Sequence, residues 1–223
     1  MKHAVALVRE CRLIATYPTG AEAQLYEWAV AVAHGGIKLL ALPVAMPRVT
    51  EMASDLVDAG VNLAIGVGGV ARPDQLSIAI AAGADFVVCT IADAALIRAA
   101  ADHKLAVIAG AATPSEVKEA AAAGADMVAI TPAGPLGGAR YLGTIVRVLP
   151  DVPLLAGDVD VESAPAYLEA GAVAAVVERG LFPDAADPSG QEVVTVRASA
   201  LAEVCGEAIG RRRDHTLTKL LGR

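Results

Sequence analysis

Aromatic side chains are scarce in this chain of 223 residues. They make up 3% of it, whereas hydrophobic residues of all kinds make up 55%. The core therefore has to be built from alanine, valine, leucine and isoleucine. Such cores are typical of parallel sheets covered by helices, because the strands of those sheets are buried on both faces. The scarcity of aromatics favours the α/β class.

Long apolar runs, cysteine motifs and extended basic tracks are also lacking. No stretch of about 18 apolar residues occurs, so no transmembrane helix is expected, and the charged first ten residues do not resemble a signal peptide. Cys11, Cys89 and Cys205 form no CxxC motif, which argues against a disulfide framework or a zinc site. The net charge of −7 disfavours nucleic acid as a partner. We expect a cytoplasmic protein with neither a membrane nor a nucleic-acid partner.

One phrase recurs along the chain: an alanine-rich helix end, a glycine and a short apolar run. Glycine is the usual residue for ending a helix, because it adopts the left-handed conformation without steric cost. Two of the spacings between these glycines are about twice the others, and further apolar runs lie in the two longer gaps. The repeat glycines are Gly36, Gly60, Gly83, Gly124 and Gly171.

Together the apolar runs predict eight strands, each followed by a helix. This is the pattern of a (β/α)8 TIM barrel; a doubly wound sheet is the rival, but it would more often have five or six strands. We predict one barrel domain over residues 1–210 and a basic tail over 211–223, with a loop at 181–194 entering a final helix at about 195–209. The predicted strands are 12–17, 37–42, 62–66, 85–90, 105–109, 126–131, 153–156 and 173–178.

Four stretches carry a more specific combination of motifs. They read GAATPSEVKEAAAAGADMVAITPAGPLGGARYL, GVGGVARPDQLSIAIAAGADF, YLEAGAVAAVV and LFP. Over roughly residues 12–210, the chain resembles the family of 2-keto-3-deoxy-6-phosphogluconate (KDPG) and 4-hydroxy-2-oxoglutarate (KHG) aldolases. The resemblance implies a homotrimer of barrels and class I aldolase chemistry, in which a lysine holds pyruvate as a Schiff base without any cofactor.

The chain departs from that family at the positions that carry the chemistry. Ala129 stands where the resemblance implies the lysine, and Ala41 and Ala45 stand where it implies a glutamate and an arginine. A Schiff base needs a primary amine, which no other side chain supplies. None of the five lysines is expected at the mouth of the barrel: they lie at strand starts, on a helix or at the termini, as Lys38, Lys104, Lys118, Lys2 and Lys219.

We therefore expect that class I aldolase activity has been lost. The resulting hypothesis is a non-catalytic scaffold or a protein that binds a small carboxylate. Two alternatives stay open. One is a carbon–carbon lyase or other enzyme with rebuilt chemistry, either with or without a divalent metal. The other is an assembly subunit that docks a protein partner through its C-terminal tail, where Leu217, Leu220 and Leu221 have helical spacing.

Rebuilt chemistry would require new reactive groups, and four candidates lie where strands seven and eight end. Asp158, Asp160, Glu178 and Arg179 could supply an acid/base pair, or a magnesium or manganese site with an arginine for a carboxylate ligand. The structural alternative is an ion pair between Glu178 and Arg179, with Asp158 or Asp160 capping the next helix.

A second candidate region follows strand six. Thr131, Gly137 and Gly138 precede a helix, and amides at a helix start can bind a small anion. The alternative is loop geometry inherited from the family, with no ligand. Elsewhere, Thr113 and Glu116 predict a helix start with a capping box, and Cys89 is expected to be a small buried hydrophobe.

Overall fold

The computed structural model describes residues 3–220, and the side chains of residues 3–211. Eight parallel strands form a closed barrel in chain order, and β1 pairs with β8 to close it. The predicted (β/α)8 architecture is confirmed. The strands are β1 Leu13–Thr16, β2 Leu39–Pro43, β3 Ala64–Val70, β4 Phe86–Cys89, β5 Ala106–Ala111, β6 Met127–Ile130, β7 Leu154–Asp160 and β8 Ala174–Arg179.

Helices surround the barrel, and one further helix precedes it. Within residues 3–220, no helix combines the length and the apolar character that crossing a membrane requires. The helices are α1 His3–Cys11, α2 Leu25–His34, α3 Val49–Asp58, α4 Pro73–Ala81, α5 Ala94–Asp102, α6 Pro114–Ala123, α7 Gly138–Val148, α8 Ala164–Ala170 and α9 Gly190–Leu220.

The glycines of the repeat have the left-handed backbone conformation that the sequence predicts for residues at helix ends. All five have positive φ angles, from 64° at Gly83 to 118° at Gly171. The predicted helix start at Thr113 is also confirmed. Its side chain accepts a hydrogen bond from the Glu116 amide, and the Glu116 carboxylate accepts one from the Thr113 amide in return. Short sequence signals, such as a glycine after a helix or a capping box before one, thus mark where most of the helices begin or end.

Two strands, β3 and β7, each run four residues past their predicted ends, and each contains an irregularity across which pairing continues. β3 runs on to Val70 with a register shift beside Gly69, whose φ is 80°. β7 runs on to Asp160 with shifts on either side of Val159. Asp158 lies in this irregular segment with a φ of 56°, a conformation that few residues other than glycine adopt.

Helix α9 begins earlier and ends later than the sequence predicts. The stretch before it contains Pro188 and Gly190 and so has the composition of a loop, but Asp187 accepts hydrogen bonds from the amide and hydroxyl of Ser189 and organises the helix start. Gly190 lies against the Trp28 ring, where a Cβ atom would be 2.8 Å from Nε1. The backbone stays helical across residue 210 as far as Leu220. Of the predicted tail leucines, Leu221 and the side chains of Leu217 and Leu220 lie outside the described residues.

Helix α1, which the sequence analysis does not predict, closes the amino end of the barrel. Ala4, Val5 and Val8 are buried against the inward-facing side chains of the strands. The inner core is therefore continuous with the helix below it. The other face of the sheet packs against the surrounding helices in a second, larger apolar cluster. Among the residues that the structure describes, α1 fills this end of the barrel, and the cavities lined by strand residues lie at the other end.

Candidate functional site

A cavity of about 530 Å³ lies over the carboxyl ends of β4, β5 and β6, bordered by Glu116 and Glu119 of α6. Two further cavities adjoin each other at the carboxyl ends of the strands; we call this region the mouth. Their volumes are about 340 Å³ and about 110 Å³. In (β/α)8 enzymes this end carries the active site. Both cavities are lined by Gly69, Val88, Val176 and Glu178; the larger also by Thr16, Ala41, Pro43, Val44, Ala45, Gly68 and Gln75; and the smaller by Cys89, Thr90, Gly110, Ala129, Thr131, Gly157 and Asp158.

Strand alternation brings polar side chains into this mouth. Ala174 and Val176 belong to the inner core, and Glu178 follows on the same face of β8, because side chains two residues apart point the same way. Thr16 follows Ile14 of the inner core on β1, and Thr131 follows Ala129 after β6. The uppermost inward positions thus combine hydroxyl groups with one carboxyl group.

Glu178 is the carboxyl group that lines both cavities. Among the described residues, no hydrogen bond or ion pair reaches its side chain. Burial in the concave mouth raises the pKa of the Glu178 carboxyl, and the nearby charge of Asp158 raises it further, while Arg179 opposes this. The group is therefore easier to protonate than an ordinary glutamate, although its side chain is exposed at the mouth.

Arg179 pairs with Asp158, which corrects the expected pair between Glu178 and Arg179. Its guanidinium donates to the Asp158 carboxylate and, at 3.1 Å, to the Asp158 main-chain oxygen. The left-handed conformation of Asp158 belongs to the irregular part of β7, which a regular alternation of side chains does not predict. The arginine is consequently already bound to a carboxylate of its own chain.

Asp160 has a structural role, but it does not cap α8 as the sequence analysis suggested for one of the two aspartates, because the residue at the cap is Ser163. Its Oδ1 accepts a hydrogen bond of 2.8 Å from the Ser163 amide, in the turn that leads into α8. Hydrogen bonds from Ser163 lower the pKa of the Asp160 carboxyl. Asp160 is absent from the lining of both mouth cavities.

The four candidate residues of β7 and β8 are thus neighbours with different roles. Within residues 3–211, no group of three or more histidine, cysteine, aspartate or glutamate side chains is placed to hold a metal ion. Asp158 is paired with Arg179 and Asp160 faces Ser163, so Glu178 is the one member left to act on a molecule in the mouth. Alone, a carboxyl group of raised pKa can accept or donate a proton.

The three alanines at the positions where the resemblance implies a lysine, a glutamate and an arginine all lie at the mouth. Ala41 and Ala45 line the larger cavity, and Ala129 lines the smaller one. Ala129 lies in β6 and is buried. Glu178 lines both cavities, so it lies between the two sets of positions. The space at these positions is therefore bounded by methyl groups and by a carboxyl group on a different strand.

The described lysines lie away from the mouth. Lys38 immediately precedes β2, and Lys104 precedes β5, so both are at the amino ends of the strands. Lys118 is exposed on α6. Lys2 and the side chain of Lys219 lie outside the described residues. No lysine, arginine or histidine side chain lines either of the mouth cavities.

The loop after β6 divides the three residues of the second candidate region. Thr131 lines the smaller cavity, whereas Gly137 and Gly138 are absent from both linings. Gly138 begins α7 as predicted, but both glycine amides already donate within the loop, to Gly134 at 3.0 Å and to Ala133 at 3.0 Å. These two amides are not free to hold an anion.

The sequence analysis missed several lining residues. Thr16, Thr90 and Gln75 all line the mouth, and for the two threonines the signal was available, since each lies two residues beyond an inward-facing side chain of its strand. Gln75 comes from α4, and its position depends on tertiary packing. Cys89 is buried as predicted, with the pKa of its thiol raised to about 12 by burial, although it also borders the smaller cavity.

Comparison with known proteins gives one consistent family. The family described as KDPG and KHG aldolase matches residues 5–192. A native KDPGal structure is 25% identical, covers 89% of this chain and 96% of its own, and has a TM-score of 0.81. The KDPG aldolase of Zymomonas mobilis ZM4, solved with 3-phosphoglycerate, is 22% identical, with coverages of 91% and 96% and a TM-score of 0.80.

A third structure has the same fold. The KDPG aldolase of Legionella pneumophila, in which pyruvate was captured as a covalent carbinolamine, is 22% identical, covers 90% of this chain and 95% of its own, and has a TM-score of 0.73. Identities of this size to the two named aldolases show the shared fold and no more. No curated protein sequence matches the chain.

Proposed function

Since this chain belongs to the KDPG and KHG aldolase family but no described lysine lies at the mouth of its barrel, we propose that it binds a small molecule there without forming a Schiff base. The observation that carries the proposal is the lining of the two cavities. It contains apolar, hydroxyl and carboxyl groups, but no amine. The space remains, whereas the nucleophile of class I aldolases is missing from it.

The charge of the mouth bears on which molecule is bound. A small carboxylate, the ligand suggested by the sequence, would need a cation or free amides to hold it. Arg179 is paired with Asp158, and the amides of Gly137 and Gly138 are already bonded. Glu178, which has no such ion pair among the described residues, adds negative charge to the lining. The proposal therefore keeps the binding role and does not extend it to a carboxylate ligand.

Reductive trapping tests the absence of Schiff-base chemistry. Sodium borohydride added in the presence of pyruvate fixes a lysine imine as a stable secondary amine, which intact mass spectrometry detects. We expect the mass of this chain to stay unchanged, while a family aldolase that retains the lysine gains the adduct under the same conditions. An adduct mapped to any lysine, including Lys219 of the tail, would overturn the proposal.

A rebuilt enzyme is the second candidate, and Glu178 is the observation that favours it. Its carboxyl group lines both cavities, and its raised pKa makes the protonated form easier to reach than in an ordinary glutamate. On this alternative Glu178 acts as the general acid or base, with no role for a metal at Asp158 or Asp160. Chemical conversion of the bound molecule would separate this candidate from binding alone.

Assembly is the remaining part of the proposal. We propose a homotrimer, as the family resemblance implies, and its subunit number can be measured by light scattering in solution. The long α9 exposes Val196 and Val204, and its basic end is the segment suggested for docking a protein partner. A cytoplasmic location is consistent with free thiols at Cys11, Cys89 and Cys205.

A further inference from the structure

The shape of the mouth suits a small organic molecule. The larger cavity alone, at about 340 Å³, is within the usual range for small-molecule sites. The aliphatic side chains of Val44, Val88 and Val176 line the same cavity as Glu178. They would contact a short hydrocarbon body. Thr16 adds a hydroxyl group to the same cavity, which can accept a hydrogen bond from a ligand.

The charges in the mouth are unequal. Arg179 neutralises Asp158 through an ion pair and a second hydrogen bond to the Asp158 main chain. Glu178 has no such partner among the described residues, and its exposed side chain lines both cavities. A cation placed in the larger cavity would compensate this carboxylate, whereas an anion would meet it without any basic side chain in the lining.

We propose that the mouth binds a small aliphatic ammonium compound, with its cationic nitrogen against Glu178 and its hydrocarbon body against Val88 and Val176. This inference rests on the proposed binding role and names its ligand class. On this proposal the mouth prefers a cation, whereas phosphorylated and carboxylated sugars are anions. The selection follows from two features together: the aliphatic cavity and a single carboxyl group without a partner inside it.

Three probes of similar size and different charge test this ligand class. We would titrate the chain at pH 7.5 with n-pentylamine, 1-pentanol and pentanoate, and record amide ¹H–¹⁵N spectra. Pentylamine should shift the amide signals of Ala41, Val88 and Val176 in a saturable way. Pentanol should bind at least about tenfold more weakly, because it lacks the charge-assisted contact, and pentanoate should cause no saturable shift at the mouth.

Two variants test whether the Glu178 carboxylate is the group that binds the ammonium nitrogen. Glu178→Gln keeps the shape of the side chain and removes its charge, so it should weaken pentylamine binding at least about tenfold. Glu203→Gln removes the same charge from an exposed position on α9 and should leave binding unchanged. Equal binding of pentylamine and pentanol, tighter binding of pentanoate, no saturable binding of pentylamine, or unaltered pentylamine binding in Glu178→Gln would each overturn the inference.

The wild-type comparison of the three probes stands even if a variant fails to fold. The outcome also separates this inference from the proposed function. Trapping of pyruvate by borohydride would overturn the proposed function whatever pentylamine does. Absence of trapping together with absence of pentylamine binding would overturn only the ligand class.

Discussion

The two ends of the barrel are built from different side chains. At the amino end, Ala4, Val5 and Val8 of α1 pack against an inner core that is apolar throughout. At the carboxyl end, threonines, glycines and Glu178 border two cavities. One end thus provides buried apolar area, and the other provides space and a titratable group. The comparison explains how alanine can occupy positions 41, 45 and 129 at the mouth without loss of the barrel.

A matched pair of substitutions tests this division and should give the largest effect. Val8 is 2% exposed in the filled end, whereas Ala45 is exposed at the mouth. We expect Val8→Asp to lower the free energy of unfolding by about 3 kcal/mol or more, because it buries a charge without a partner. Ala45→Asp adds the same charge where water reaches it, and should change stability by no more than about 0.5 kcal/mol.

Urea unfolding followed by circular dichroism measures both free energies. Equal destabilisation by the two substitutions would mean that the mouth contributes as much to stability as the filled end. A small effect of Val8→Asp would show that α1 is not needed to close the barrel.

The barrel could be predicted from the sequence because its signals are local and repeated. A glycine such as Gly124 ends its helix by its own conformational freedom, and the apolar run that follows is a strand in every unit. Helix α1 occurs once, outside the repeat, although the spacing of Ala4, Val5 and Val8 already suggests one apolar helical face. The start of α9 could not be predicted, since it depends on the contact between Gly190 and Trp28, which are far apart in sequence.

The site could be predicted only in part, for a different physical reason. Residues at the carboxyl ends of adjacent strands are expected to be neighbours, so the sequence predicts that Asp158, Glu178 and Arg179 lie close together. Their pairing depends on the left-handed backbone of Asp158 and the shifted register around it. A regular strand would alternate side chains across this segment. That Arg179 pairs with Asp158 instead of Glu178 can therefore be seen only in the structure. This pairing leaves Glu178 as the carboxyl group at the mouth that has no partner among the described residues.

Restoring the lysine tests whether the mouth lacks one reactive group or several. We expect Ala129→Lys alone to cleave 4-hydroxy-2-oxoglutarate at a rate roughly a hundredfold or more below that of the variant that also carries Ala41→Glu and Ala45→Arg. Positioned acid–base groups typically contribute on the order of 10²–10⁴-fold. Release of pyruvate measures the rate. A triple variant no faster than the single one would show that these two alanines do not explain the loss.

Removing the charge of Glu178 should give the smallest effect, and one that depends on pH. Because the pKa of Glu178 is raised in the folded chain, folding favours its protonated form. Ionisation therefore costs stability, and this cost appears as the pH rises from the ordinary pKa of glutamate through the raised one. Glu178→Gln removes the cost. It should stabilise the chain at pH 7.5 by less than about 1 kcal/mol, since the side chain is exposed and solvent screens its charge.

Thermal unfolding at two pH values isolates this effect. A gain of that size corresponds to at most about 2–4 °C in Tm for a chain of this length. At pH 4, where Glu178 is largely protonated in the wild type, the Tm values of the variant and the wild type should approach each other. Glu203→Gln, which removes a charge from α9, should show no such pH-dependent difference. A Glu178→Gln variant less stable than the wild type at pH 7.5 would mean that the ionised carboxylate has a stabilising partner, and would remove the contrast between the neutralised Asp158 and the unpaired Glu178.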